Sequence, residues 1–167
     1  MDRLVLSVNR WLMILALAAM SVIVFLNVAL RYLTDDSIVW SEEVARYLMV
    51  WLTFLGIGPV FRLGGHVGVD TLLQSVSAKS AILLRTLIFV LLVGFSAITV
   101  WAGYVFVERS LAQSTPVTEV SFALVAAAVP IGFALALWHM SAVCFGYVSE
   151  FRFETSPDLS PDEAGAA

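Results

Sequence analysis

Residues 11–30 read WLMILALAAMSVIVFLNVAL, twenty consecutive positions without a charge, closed by Arg10 on one side and Arg31 on the other. An α-helix rises about 1.5 Å per residue, so a run of about 20 apolar residues covers the roughly 30 Å hydrocarbon layer of a bilayer. A charge at the centre of such a helix is costly, and this run has none. Three more charge-free runs follow, between Arg46 and Arg62, between Arg85 and Glu108, and between Glu119 and Glu150. The expected spans are therefore about 11–32, 42–61, 84–107 and 120–148. The second is the shortest and is extended back through Val44 and Ala45, which leaves Arg46 near the interface, where a long basic side chain can snorkel.

Composition agrees with this reading. Sixty per cent of the 167 residues are hydrophobic and 13% are charged, with a mean hydropathy of +0.94. A soluble domain usually has about a quarter of its residues charged. The fold class expected is all-α integral membrane, a four-helix membrane domain over residues 1–149. The apolar run after Arg3 and Arg10 exceeds the roughly 7–15 residues of a signal-peptide core, and no small-x-small cleavage site precedes Arg31, so the first run is read as a span.

Orientation follows the Lys and Arg bias of the loops. Arg3, Arg10, Arg62, Lys79, Arg85 and Arg152 fall on the side of the termini, against Arg31, Arg46 and Arg109 on the other. Both termini are expected in the cytoplasm. Residues 150–167 carry Glu150, Glu154, Asp158, Asp162 and Glu163 against Arg152 alone, and with Pro157, Ser160 and Pro161 they read as an acidic, disordered cytoplasmic tail. The single Cys144, in the fourth span, excludes an intrachain disulfide and a CxxC site; it reads as a small core residue.

The longest segment outside the spans runs from Arg62 to Arg85. Val69, Leu72, Leu73 and Val76 recur at i, i+3, i+4 and i+7 with polar residues between them, which predicts a short amphipathic helix on the membrane surface over about 68–79. Gly64 and Gly65 suit the redirection into it. An ordinary polar loop is the alternative. Within the spans, Gly56, Gly58 and Pro59, together with Pro130 and Gly132, are the candidate helix-packing positions.

The densest polar cluster is Trp40-Ser41-Glu42-Glu43-Val44-Ala45-Arg46. At a helix start, Ser41 can cap free N–H groups and the acids suit the positive helix end. Glu42–Arg46 and Glu43–Arg46 match ion-pair spacing. Adjacent acids point about 100° apart on a helix, so Arg46 cannot serve both equally, and one carboxylate is left for another helix or subunit. The charge-free runs contain no acid and only scattered polar groups, among them Asn27, Thr53, Ser96, Thr99, His139 and Ser141. Charged pathways through membranes usually need buried ionisable groups or unwound helices, so this chain is poorly equipped to carry a charged substrate alone.

Asn27-Val28-Ala29-Leu30-Arg31-Tyr32, then Trp40-Ser41-Glu42-Glu43 with Ala45-Arg46-Tyr47, Trp51 to Gly56, Arg62, His66 and Val69-Asp70, resemble the small membrane subunit of the tripartite ATP-independent periplasmic (TRAP) transporters, the DctQ-like proteins. The likeness continues weakly through Pro130-Ile131-Gly132. It implies a scaffold that braces a large multi-span permease subunit, here a separate chain, in the bacterial inner membrane. In that family the large subunit moves an organic acid by a sodium-driven elevator motion, and a soluble periplasmic binding protein delivers the substrate. The resemblance implies that Arg31, Trp40, Glu42, Glu43 and Arg46 contact the large subunit on the extracytoplasmic side. It likewise implies that Arg62, His66 and Asp70 meet headgroups or the partner on the cytoplasmic side.

The family is not one of enzymes, and neither a cofactor, a metal nor a nucleic-acid partner is expected; membrane lipid is. Two other readings compete: a haem-holding anchor subunit of a respiratory oxidoreductase, and a stand-alone membrane assembly factor. Against the first, bis-His ligation would need a partner for His139 on a facing helix, and the other histidine, His66, is expected in a loop.

Overall fold

The computed structural model describes residues 2–62 and 78–150, with side chains described over 4–62 and 80–144. The described chain is helical: α1 (Asp2–Thr34), α2 (Ser41–Arg62), α3 (Ala78–Ser110), the single turn α4 (Ala123–Ala126) and α5 (Ala128–Glu150). Four helical stretches, Leu4–Thr34, Ser41–Arg62, Ser80–Ser110 and Ala123–Cys144, are long and apolar enough to cross a membrane. The chain is thus an all-α membrane protein with four apolar helices.

The helices run past the apolar stretches that mark them. The first and third begin at residues 2 and 78 rather than 11 and 84, because helical hydrogen bonding does not stop where apolar residues give way to charged ones. At 33 residues each, α1 and α3 are about 50 Å long, more than a hydrocarbon layer needs. The fourth span starts later than 120, because Val120 and Ser121 belong to a tight excursion instead: Thr115 N–H donates to the Val120 carbonyl at 2.9 Å and Phe122 N–H to that of Gln113 at 2.8 Å. Ser114 and Ser121 form an isolated antiparallel bridge, and Glu119 takes a left-handed φ of 55° to close the turn. Of the expected surface helix, residues 68–77 lie outside the described residues and 78–79 are part of α3. Residues 151–167, most of the acidic tail, lie outside them as well.

Packing runs α1 on α2, α2 on α5, and α5 on α3. Small residues set the two inner seams. A Cβ on Gly132 of α5 would lie 2.5 Å from the Phe54 carbonyl oxygen of α2, and one on Gly58 of α2 would lie 2.4 Å from His139 Cδ2 of α5. A Cβ on Gly103 of α3 would lie 2.9 Å from Pro130 Cδ. Without a hydrophobic force to join helices in lipid, such close backbone approach is how they gain packing. Pro130 also explains why α4 and α5 are separated at Ala127: it has no N–H to offer the Ala126 carbonyl four residues back. In the first turn of α5 that missing donor interrupts little.

Among the described residues the interior mixes small and apolar side chains, such as Ala128, Ala136, Leu55 and Phe61, with a sizeable set of polar ones. Arg62 and His139 are the largest fully buried side chains, with Asn9, Ser41, Ser96 and Ser110. Large apolar residues such as Trp11, Phe25, Leu91 and Trp101 are exposed, as lipid-facing surface requires. Apart from Asn9, no described side chain of α1 is buried.

Candidate functional site

The polar cluster at the start of α2 divides into an inner and an outer part. Asp35, at φ 57°, turns the chain out of α1, and Asn27 Oδ1 accepts from Ile38 N–H at 2.7 Å to hold the connection. Ser41 does not cap free N–H groups as expected. Its N–H and its hydroxyl both donate to the Ile38 carbonyl, at 3.0 and 2.6 Å, so it locks the turn before the helix.

Glu43 is buried, and its carboxylate reaches across to the α3–α4 excursion. Oε2 accepts from Val117 N–H at 2.9 Å; Oε1 accepts from Thr118 N–H at 3.2 Å and from Thr118 Oγ1 at 2.6 Å. Two successive backbone N–H groups and a hydroxyl thus converge on one carboxylate, a charge-assisted arrangement stronger than neutral hydrogen bonds. Arg31, Trp40, Glu42 and Arg46 are exposed. Among the described residues no ion pair joins Arg46 to Glu42 or Glu43; the excursion has taken Glu43, and Glu42 and Arg46 both line a groove between α1 and α2. Of the five residues, Glu43 is thus the one committed inside the chain.

At the other end, Arg62 is not on the surface. It is 1% exposed, and its Nη1 lies 3.3 Å from Nδ1 of His139, itself fully buried. A guanidinium only donates, so Nδ1 is the acceptor. Gly58 opens the space that the imidazole fills, and Phe61, Met140 and Val143 surround the pair's end of the fold with Phe89 at their edge. Arg62 thereby joins α2 to α5, and an arginine in an apolar setting is stabilised by such a fixed polar partner. His66 and Asp70, expected beside it, lie outside the described residues, as do Gly64 and Gly65.

Among the helix-packing candidates, Gly58 and Gly132 sit where α2 and α5 come closest, Pro130 meets Gly103, and Gly56 has Met13 of α1 at ordinary contact distance. Pro59 has a separate consequence. Lacking an N–H, it cannot serve the Leu55 carbonyl one turn back, and Asn9 Nδ2 of α1 supplies that donor at 3.0 Å. Sequence reasoning missed Asn9, Val117 and Thr118, and noted Asn27 without its role in the turn. Only the first had a signal: a proline in a span implies an unserved carbonyl four residues earlier and some polar group to meet it.

A family model described as "Tripartite ATP-independent periplasmic transporters, DctQ component" matches residues 20–147. Among curated proteins, the chain is 46% identical over 70 residues to a Haemophilus influenzae protein whose name assigns it provisionally as a TRAP transporter small permease, covering 40% of this chain and 44% of that protein. It is 30% identical over 73 residues to the C4-dicarboxylate TRAP transporter small permease protein DctQ of Vibrio cholerae, covering 44% and 32% of the two chains. To the protein of the same name from Rhodobacter capsulatus it is 31% identical over 114 residues, covering 66% and 50%. The matches span half or less of these relatives' own length. The family match, over most of the chain from the second half of α1 to near the end of α5, is the decisive one: the protein belongs to the DctQ family of TRAP transporter small permease subunits, multi-pass inner-membrane transporter components and not enzymes.

Proposed function

We propose that this subunit is the fixed brace of a TRAP transporter, holding a separate large permease subunit in the inner membrane while that subunit carries an organic acid inward on a sodium gradient. A periplasmic binding protein delivers the acid. The C4-dicarboxylate names of the Vibrio and Rhodobacter relatives support an organic acid as cargo. Both termini are cytoplasmic in this reading, and Arg31 and Trp40 face the partner at the extracytoplasmic end. Glu43 acts behind them, tying the α3–α4 excursion to α2.

The observation that carries the reading is the seam between α2 and α5. Gly132 against the Phe54 carbonyl and Gly58 against His139 leave the two helices in backbone contact, a wall rather than a path. The test is copurification of the two membrane subunits with uptake in proteoliposomes supplied with the binding protein, a C4-dicarboxylate and a sodium gradient. Arg31→Glu and Trp40→Ala, both exposed, are expected to reduce recovery of the large subunit and uptake together. A complex and an uptake rate unchanged in both variants would refute the proposed interface.

A further inference from the structure

Between α1 and α2 lies an open groove of about 720 Å³. Its walls are apolar, with Met20, Val24 and Val28 following one another at helical spacing on α1 and Ala45 and Met49 on α2; Glu42 and Arg46 line it at the α2 start. Both charged residues are exposed, and among the described residues they form no ion pair with each other. An i,i+4 acid–base pair on a helix is within reach of itself but gains only about 0.2–0.5 kcal/mol by closing, so both members stay available to a ligand. Here both members face the same open groove.

Their order along the helix matters. α2 starts at Ser41 and runs into the apolar layer, so Glu42 is nearest the water and Arg46 lies one turn, about 6 Å, deeper. A phospholipid standing in the bilayer presents the same sequence from the tails outward: hydrocarbon, phosphate, then whatever the phosphate carries. In an ethanolamine phospholipid that last group is an ammonium, two carbons beyond the phosphate. The separation suits side chains one helical turn apart, whose Cβ atoms are about 5–6 Å from each other.

We infer that the α1–α2 groove is a binding site for a phosphatidylethanolamine molecule, with an acyl chain against Met20, Val24, Val28 and Met49, its phosphate on Arg46 and its ammonium on Glu42. Arginine is suited to phosphate because its planar donors engage two oxygens at once. An anionic phospholipid such as phosphatidylglycerol would satisfy Arg46 but leave Glu42 facing a group without positive charge. The site deepens the brace reading by giving the weakly packed α1 a lipid filler on its α2 side. Lipid binding itself does not depend on that reading, because it is measured on the small subunit alone.

The experiment uses the full-length subunit in nanodiscs of equal phosphatidylethanolamine and phosphatidylglycerol, released into detergent, with retained lipid read by native mass spectrometry. The wild-type chain is expected to retain phosphatidylethanolamine about fivefold over phosphatidylglycerol, the ratio that one exposed charge pair supports. The double exchange Glu42→Arg with Arg46→Glu keeps the net charge but inverts the order, and is expected to abolish the preference. Val24→Trp, which fills the groove, is expected to reduce retention of both lipids.

A photoactivatable phosphatidylethanolamine applied to the unmodified protein provides a readout that needs no variant to fold. Its label is expected on peptides spanning 20–28 and 45–49. Equal retention of the two lipids by the wild type, an unchanged preference in the exchanged variant, or label confined to other peptides would overturn the site. If the site holds while Arg31→Glu and Trp40→Ala leave the transporter complex intact, the lipid site stands and the interface proposal falls.

Discussion

At the scale of single residues, polar side chains do the joining. Asn9 is an example whose worth can be isolated. It serves the Leu55 carbonyl that Pro59 cannot, and a hydrogen bond of this kind contributes about 1 kcal/mol net. Asn9→Ala is expected to lower stability by about 1–2 kcal/mol in denaturant titrations in mixed micelles. In a Pro59→Ala background, residue 59 regains the N–H that the helix lacked, so the same substitution should cost clearly less. Equal costs in the two backgrounds would show that Asn9 acts by packing alone. Glu43 offers a second case. Glu43→Gln keeps one accepting oxygen but sets an amide NH2 group against one of the N–H donors that now meet the carboxylate. Hydrogen exchange at the Val117 and Thr118 amides is expected to speed up by roughly tenfold or more, matching a loss of about 1.5–3 kcal/mol for a hydrogen-bonded charged group, while amides in the middle of α2 stay protected.

At the scale of elements, the contacts between helices rest on a few glycines that differ sharply in what surrounds them. Gly58→Ala and Gly132→Ala would push a Cβ to within 2.4 and 2.5 Å of His139 and the Phe54 carbonyl, so each is expected to destabilise by about 1–3 kcal/mol. The backbone oxygen facing Gly132 has less freedom to yield than the imidazole facing Gly58. Gly94→Ala in α3 meets nothing within 4 Å and is expected to be neutral or slightly stabilising, since alanine is the better helix former. Thermal unfolding of the three variants side by side checks the ranking. The presence of Gly58 and Gly132 at close-packed positions could be suspected from their place in apolar helices. Which residue each one faces could not, because that depends on the rotation and height of the neighbouring helix.

At the scale of the whole molecule, α2 and α5 form the central seam, with α1 on one and α3 on the other. The proposed orientation has a direct check. With Cys144 replaced by alanine, Val117→Cys should react with a membrane-impermeant maleimide in spheroplasts, and Ser7→Cys, near the other end of α1, only after the membrane is opened; the reverse pattern would invert the topology. Sequence alone determined the class of this protein and its four apolar helices, since the bilayer demands long uncharged runs and each run is local along the chain. It also exposed the motifs around Asn27 to Asp70 that carry the family resemblance. Tertiary structure alone decided which polar groups meet. It sent Glu43 to Val117 and Thr118 instead of Arg46, turned Arg62 inward to His139, and set Glu42 and Arg46 together on the groove beside α1. Those pairings join residues more than 70 positions apart, or depend on which face a helix buries, and no spacing along a single helix encodes either.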